Sequence, residues 1–480
     1  MRLLSITHEP GSEYPSINLY HTEAGKEYRY AALSHSWYYT TPLKTTATTL
    51  DTYAKDIPWL DLPEVFRECA NLCLHLGFRY LWIDSLCIIQ GNPEDFQKEG
   101  SRMGLIYNQA SLVLAVHGFS LNLVRNGTRE INSSPPGHSE NSSSAFVRMD
   151  LDHETCFNPS TDTSTYWGRA WCFQERLFGP RILHFGGSYE EVWFECNVHC
   201  RCECGRDKRF REGTSDQEHL KFKFSNSLRA FDATAPDDDL EKARNNLWEV
   251  YIELCEEYTA KGMSFPTDIL PASSSLAHHL SPRLGCYYAG IWEHNLLLGL
   301  QWEALDTRSC HRPEEYLAPS FSWASRMGAV IWYYSQGEIP SNETHIFANL
   351  VSIDCTISTD DPFGPVSAGS IVLQGYVTTM VLEDFNRGHP PDARVRMTRP
   401  HKENDDTYVT FDSDEDMSRA RGMTVTCLDI MRNKEPRRPY VSGLVLVPVS
   451  GLQGVYRRIG FSTMLIEHFE GQDIEEITII

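Results

Sequence analysis

Positive charge is what this sequence most lacks. Its 480 residues carry 43 Lys and Arg against 65 Asp and Glu, a formal net charge of -22. A field of that sign repels phosphate backbones, so no nucleic-acid partner is expected. Long apolar runs are missing too. No stretch approaches 18 uninterrupted apolar residues, and the opening "MRLLSITHEPGSEYPSINLY" has no apolar signal core, so no membrane partner is expected. These absences predict a cytoplasmic location. In that reducing compartment the 14 cysteines are expected mostly as free thiols. Three catalytic signatures are also absent: a Gly-rich phosphate loop, a zinc-protease HExxH and a GxSxG nucleophile elbow.

What is present is ordinary for a globular chain, with 41% hydrophobic and 22% charged residues. The length exceeds one hydrophobic core, so two or three domains are expected. "YRYAALSHSW" (28–37) predicts a short strand running into polar residues. "LPEVFRECANLCLHLG" (62–77) places Leu62, Val65, Phe66, Cys69, Cys73 and Leu76 at helical spacing, with Asp61 suited to the N-cap, Pro63 to the first turn and Gly77 to the stop. "RYLWIDSLCIIQ" (79–90) has the apolar character of a strand buried on both faces. A helical stretch near 94–109 and the apolar "SLVLAVHG" (111–118) follow. The alternation predicts a parallel sheet with crossover helices, in which ligands bind beyond the carboxyl ends of the strands.

Further on, "NGTREINSSPPGHSENSSS" marks a polar insertion over about 121–166. "YWGRAWCFQERLFGPRILHFGG" (166–187) predicts a short helix and a strand, with "EEVWFEC" as hairpin partner. An amphipathic helix covers 237–262, an aromatic-rich region runs to about 335, and short strands dominate from 346.

Four places hold candidate chemistry. Asp84 interrupts an apolar run, where an unpaired carboxylate costs several kcal/mol, so it needs a partner or a place at a cleft. Its late position in the run favours the cleft. Ser34 and His35 sit where a strand ends, but adjacent strand side chains diverge, so they are not expected to form a nucleophile–base pair. A structural role for His35 stays open. In "RAWCFQER", Trp171 and Glu175 share a helical face, and a carboxylate against an indole can have a raised pKa and serve as acid or base. The alternative is a Glu–Arg pair that anchors the helix. Finally, "CNVHCRCECG" clusters Cys196, His199, Cys200, Cys202 and Cys204, yet the spacing is not two CxxC knuckles and alternate residues face apart, so no metal site is expected.

Taken together, "YAALSHSW", "LPEVFRECANLCLHLGFRYLWIDSLCIIQ", "RMGLIYNQASLVLAVHG" and "RAWCFQERLFGPRILHFG" resemble the ordered blocks of the fungal heterokaryon-incompatibility (HET) domain. "LPASSSLA", "YYAGIWEHNLLLGLQW", "YLAPSFSWAS" and "GVYRRIGF" extend the resemblance. It implies a role in fungal self/non-self recognition and cell death. It also implies a distant likeness to Toll/interleukin-receptor (TIR) domains, hence a TIR/flavodoxin-like parallel sheet. Some TIR relatives cleave NAD with a cleft glutamate. By that analogy Glu175 is the catalytic glutamate, Asp84 and His35 join it, and Ser34, Trp37, Tyr38, Arg169, Trp171 and Gln174 shape the substrate pocket. No cofactor is required, and NAD enters as a substrate.

The resemblance has gaps. Tyr38 stands where the family has glycine, and Ser274 or Ser275 replaces another. The family's usual partner modules, such as a nucleotide-binding oligomerisation domain or WD repeats, are not seen in the sequence. A second expectation is therefore a repurposed HET fold acting as a cofactor-free cyclase or pericyclase of secondary metabolism, its aromatic middle lining a cavity. A third is a non-catalytic module whose partners are other HET proteins. The expected organisation is an α/β HET domain over 1–200, a helical aromatic-rich region over 201–345 and a β-rich region over 346–480.

Overall fold

The computed structural model describes residues 1–37, 42–118, 121, 129–133, 143–147, 166–186, 192–209, 219–234, 239–332, 344–382, 394–398, 407–420, 422–433 and 440–480. Most of the insertion expected at 121–166, and Tyr38, lie outside these residues. The chain forms two compact units, Met1–Glu99 with Met103–Phe222, and Lys223–Ile480 with Gly100–Arg102.

The first unit is built on nine strands: β1 (Arg2–Thr7), β2 (Ser16–His21), β3 (Ala31–His35), β4 (Tyr80–Trp82), β5 (Leu112–Val116), then, past a separate hairpin of β6 (Arg129–Ser133) and β7 (Ser143–Val147), β8 (Arg181–Phe185), β9 (Trp193–Cys196), β10 (His199–Cys202) and β11 (Asp207–Arg209). Their spatial order is β11-β10-β9-β8-β5-β3-β4-β1-β2. Four central strands are parallel: β3 pairs β4 and β5, and β5 pairs β8. The edges are antiparallel, through β1–β4 on one side and β8–β9 on the other. The winding reverses at β3, because β4 lies on one side of it and β5 on the other.

Every residue of β3 is buried, as expected of a strand covered on both faces. Helix α2 (Glu64–His75, after the one-turn α1 at Leu50–Tyr53) buries Val65, Phe66, Cys69, Ala70 and Cys73, and Phe66 meets His35 on one face. On the other face Ser34 meets Tyr166 and Glu175, so adjacent β3 side chains diverge as the sequence predicts. Asp61 closes a short 3-10 turn, and Pro63 takes the N-cap position of α2 instead. Pro63 has no N–H to leave unsatisfied at a helix start.

The apolar run 79–90 is not one strand. Its strand ends at Trp82, and Asp84 opens the one-turn helix α3 (Asp84–Cys87). Period alone does not separate a short buried strand from a buried helical turn. The stretch near 94–109 is two helices, α4 (Pro93–Gly100) and α5 (Met103–Gln109). Helix α6 (Ala170–Phe178) then leads into β8, with β9 as its hairpin partner.

The second unit is β-rich. Strands Val366–Leu382, Thr424–Asn433, Tyr440–Pro448, Val455–Leu465, Thr407–Phe411 and Arg394–Thr398 pair antiparallel in that order, and the last returns to the first. The ring is therefore a closed six-stranded barrel. Met380, Val409, Phe411, Val425, Cys427, Val445 and Ile459 fill it. Helix Leu240–Thr259, capped by Asp239 accepting from the Lys242 N–H at 3.1 Å, belongs to the same unit. Trp292, Trp302, Trp323 and Trp332 are fully buried there. Three of these indoles donate to backbone carbonyls: Trp302 to Phe321, Trp323 to Gly290 and Trp332 to Gly299, at 2.9–3.1 Å. Gly290 has φ +101, and a Cβ there would lie 2.6 Å from Trp323 Nε1, so the indole needs glycine beside it. These aromatic residues behave as core.

Candidate functional site

The parallel register brings three strand ends together. Ala31 and Ala32 lie opposite Leu81 and Trp82, so the chain just past β4 places Asp84 level with Ser34. On the other side Ser34 and His35 pair with Ala115 and Val116, which places His117 just beyond. Ligands in sheets of this kind bind at the carboxyl ends where the winding reverses.

Glu175 is buried on α6. Ser34 Oγ donates to its Oε2, and Tyr166 OH lies 2.5 Å from the same Oγ. Because Ser34 has one proton, Tyr166 must supply the proton of that second bond. Tyr107, on α5, also reaches the carboxyl group and bonds the Leu33 carbonyl at 2.9 Å. Among the described residues no cation forms an ion pair with Glu175. Burial therefore dominates and pushes its pKa up to about 7, with Ser34 opposing and the Asp84 charge adding to the rise.

Asp84 is half-buried and accepts from Trp37 Nε1 at 2.9 Å and from the Ser85 N–H at 2.7 Å. Its pKa rises to about 6, again mainly through burial, with Arg169 opposing. Arg169 precedes the first turn of α6 and donates to Ser36 Oγ at 3.2 Å. Its charge favours the ionised form of both carboxyls. Lys44 lies 5.0 Å over the Trp37 ring.

The structure thus brings Asp84, Glu175, Ser34, Trp37 and Arg169 to one strand-end cluster. His35 points to the opposite face. It packs edge-on against Phe66 at 5.4 Å, and burial, then Arg169, lowers its pKa to about 4. The Trp171 ring packs edge-on against Phe96 at 6.0 Å. The groups bonding Glu175 are hydroxyls rather than the expected indole. Gln174 is buried, and neither its amide oxygen nor its nitrogen has a hydrogen-bond partner among the described residues. Tyr38 falls outside the described residues. The Glu–Arg pair left open by the sequence belongs to other residues: Arg176 binds Glu195 through both carboxylate oxygens at 3.0 Å.

Tyr107 and Tyr166 escaped sequence reasoning. Tyr107 is the one aromatic of α5 and Tyr166 sits beside Trp167 in a short 3-10 turn, and each hydroxyl matters only through tertiary contact. In the cysteine cluster, Cys200 and Cys202 are buried with Trp193 and Phe222, and His199 pairs with Asp207 at 2.6 Å. Ligand atoms of Glu195, Cys200 and His219 lie within 4.8 Å of one another. However, Arg176 already neutralises Glu195, and the buried Lys221 adds a second cation. This is an ion-pair cluster, which repels a metal cation.

No helix among the described residues is long and apolar enough to cross a membrane. A family described as heterokaryon incompatibility protein (HET) matches residues 30–175, an interval that ends on Glu175 itself. No curated protein and no solved structure matches the chain.

Proposed function

From the premise that the chain belongs to the HET family through residues 30–175, we propose that its HET domain performs its incompatibility-type role by cleaving NAD at the nicotinamide–ribose bond. The observation that carries this is Glu175. It is a buried carboxyl group with hydroxyl partners and, among the described residues, no ion pair, next to Asp84 at the strand ends beside β3. Two further features support the choice. Counted in chain order, the parallel strands lie second-first-third-fourth, the order that opens a flavodoxin-like sheet, and TIR domains share that sheet. Asp84 is half-buried and Glu175 is buried, which suits Asp84 to meeting substrate first in this reading.

The chemistry asks little of the protein. The C1′–N bond breaks and its electron pair stays on the nitrogen, so nicotinamide leaves neutral. A water oxygen then bonds C1′, and its proton passes to a carboxylate. The transition state carries oxocarbenium charge, which an ionised carboxylate in a low-dielectric site stabilises. With pKa values of about 6 and about 7, Asp84 is ionised at neutral pH while Glu175 exchanges its proton. That places one carboxylate for charge and one for proton transfer.

Incubation of the purified chain with NAD, following nicotinamide release, tests this. Release should fall by about 10²-fold or more in Glu175→Gln. Equal release by wild type and variant overturns the assignment of Glu175, and no release at high protein concentration sinks the enzymatic reading and favours a module that acts by HET–HET assembly.

A further inference from the structure

A second chain of polar groups runs through the first unit, and the proposed NAD chemistry does not use it. Its members are His117 after β5, His184 in β8 and Glu195 in β9. His117 Nε2 lies 3.0 Å from His184 Nδ1, and His184 Nε2 lies 2.9 Å from Glu195 Oε2. The imidazole of His184 stacks on Trp193 with ring centroids 3.6 Å apart, which fixes its plane. Glu195 is completely buried and held by Arg176, with His219 Nε2 at 3.2 Å.

The proton positions follow from the acceptor at one end. Arg176 and Lys221 hold the Glu195 carboxyl well below the usual range, so it is ionised and accepts only. His184 must then carry its proton on Nε2. Burial, with Arg176 and Lys221 nearby, keeps that ring neutral despite Glu195, its pKa lowered to about 4. Its Nδ1 is therefore a bare acceptor, and His117 must fill it with a proton on Nε2. Burial, then His184 and Arg176, lowers the pKa of His117 as well, so it too has a single ring proton. Its Nδ1 is left as a lone pair, with no hydrogen bond to a described residue. Each step sets the next tautomer, as a carboxylate does for a histidine in other acid–base sites.

We propose that Glu195 and His184 are positioning residues that fix His117 as a proton acceptor through Nδ1, making the carboxyl end of β5 a second acid–base point of the domain. Its ligand is a water or an O–H or N–H donor. It stands beside the first cluster, since the His117 ring lies 4.6 Å from that of Tyr166, whose hydroxyl bonds Ser34. The inference does not rest on NAD as substrate.

Nitrogen-15 NMR of histidine-labelled protein at pH 7 tests it, with His117→Gln and His184→Gln used to assign the signals. Wild type should show both rings neutral and protonated on Nε2, with Nδ1 of His117 at an unprotonated shift. In Glu195→Gln the amide can donate to His184 Nε2, so both rings should convert to the Nδ1-protonated form. A wild-type His117 that carries its proton on Nδ1, or two protons, overturns the proposal. So does a folded Glu195→Gln with unchanged tautomers. If that variant fails to fold, the wild-type spectrum decides alone.

Discussion

Glu175 in the first unit and Asp412 in the second are buried in opposite ways. In the first, Glu175 is enclosed by the hydroxyls of Ser34 and Tyr107, and its pKa rises to about 7. In the second, Asp412 is buried between two cations, with Arg326 Nη2 at 3.1 Å and Arg458 Nε at 3.2 Å. Both guanidinium groups also lie over Trp302, at 3.9 and 3.3 Å from its ring centroid. Arg458 further donates to the carbonyls of Leu300, at 2.6 Å, and Trp302. Arg312 and Arg457 hold Asp416 nearby at 2.9 and 3.0 Å. Carboxylates committed to ion pairs with arginines make this cluster scaffold. A carboxyl group held by hydroxyls can change its proton near neutral pH, so the Glu175 cluster is suited to chemistry. Glu195 shows the same contrast inside the first unit: one residue after Glu175, Arg176 points to Glu195 and holds its pKa down.

Substitutions that remove charge should therefore act with opposite sign at Asp412 and Glu175. Asp412→Ala leaves two buried arginines uncompensated and should destabilise the chain by about 3–5 kcal/mol, read by urea unfolding. Glu175→Gln should relieve a penalty instead. The folded-state pKa of Glu175 lies above its ordinary value of 4.5, so its contribution to stability is full below about pH 4.5 and lost as pH rises through about 7. That loss is on the order of 3 kcal/mol by pH 8. Unfolding at pH 5 and pH 8 should show the wild type losing more stability over this range than the glutamine variant, and a variant with the same slope would break the comparison.

Smaller effects sharpen it. Ser34→Ala removes the donor to Glu175 and should cost about 1–3 kcal/mol, while moving the Glu175 midpoint further up. Trp37→Phe removes one donor to Asp84, should cost about 0.5–1.5 kcal/mol, and should raise the Asp84 midpoint above about 6 in a carboxyl NMR titration. An unchanged midpoint would mean that the 2.9 Å contact does not persist in solution.

Much of the first unit was legible in its sequence. The period of 62–77 marked α2, "SLVLAVHG" marked β5, and the divergence of Ser34 and His35 followed from strand geometry alone. Asp84 stands out in the sequence as a carboxylate in an apolar run. The strand before it is shorter than the apolar run suggests, because apolar character alone does not mark where β4 gives way to α3. The hydroxyls of Tyr107 and Tyr166 were hidden for a different reason. Their partners lie 74 and 132 positions away in the chain, and only the packing of α5 and of the 3-10 turn before α6 against β3 unites them. His117, His184 and Glu195 were hidden likewise. Each stands alone in its own segment, and sheet pairing from β5 through β8 to β9 lines them up. In the second unit, strands were foreseeable from residue 346 onward, but their closure into a barrel depends on pairing between the strands at 366–382 and 424–433.

The central claim is that Glu175 is a buried carboxyl group that exchanges its proton near neutral pH. Carbon-13 NMR of glutamate-labelled protein, with Glu175→Gln to assign the signal, measures its titration directly. The account predicts a midpoint of about 7. A midpoint at or below the ordinary glutamate value would mean that a cation or water compensates the charge, and would contradict it.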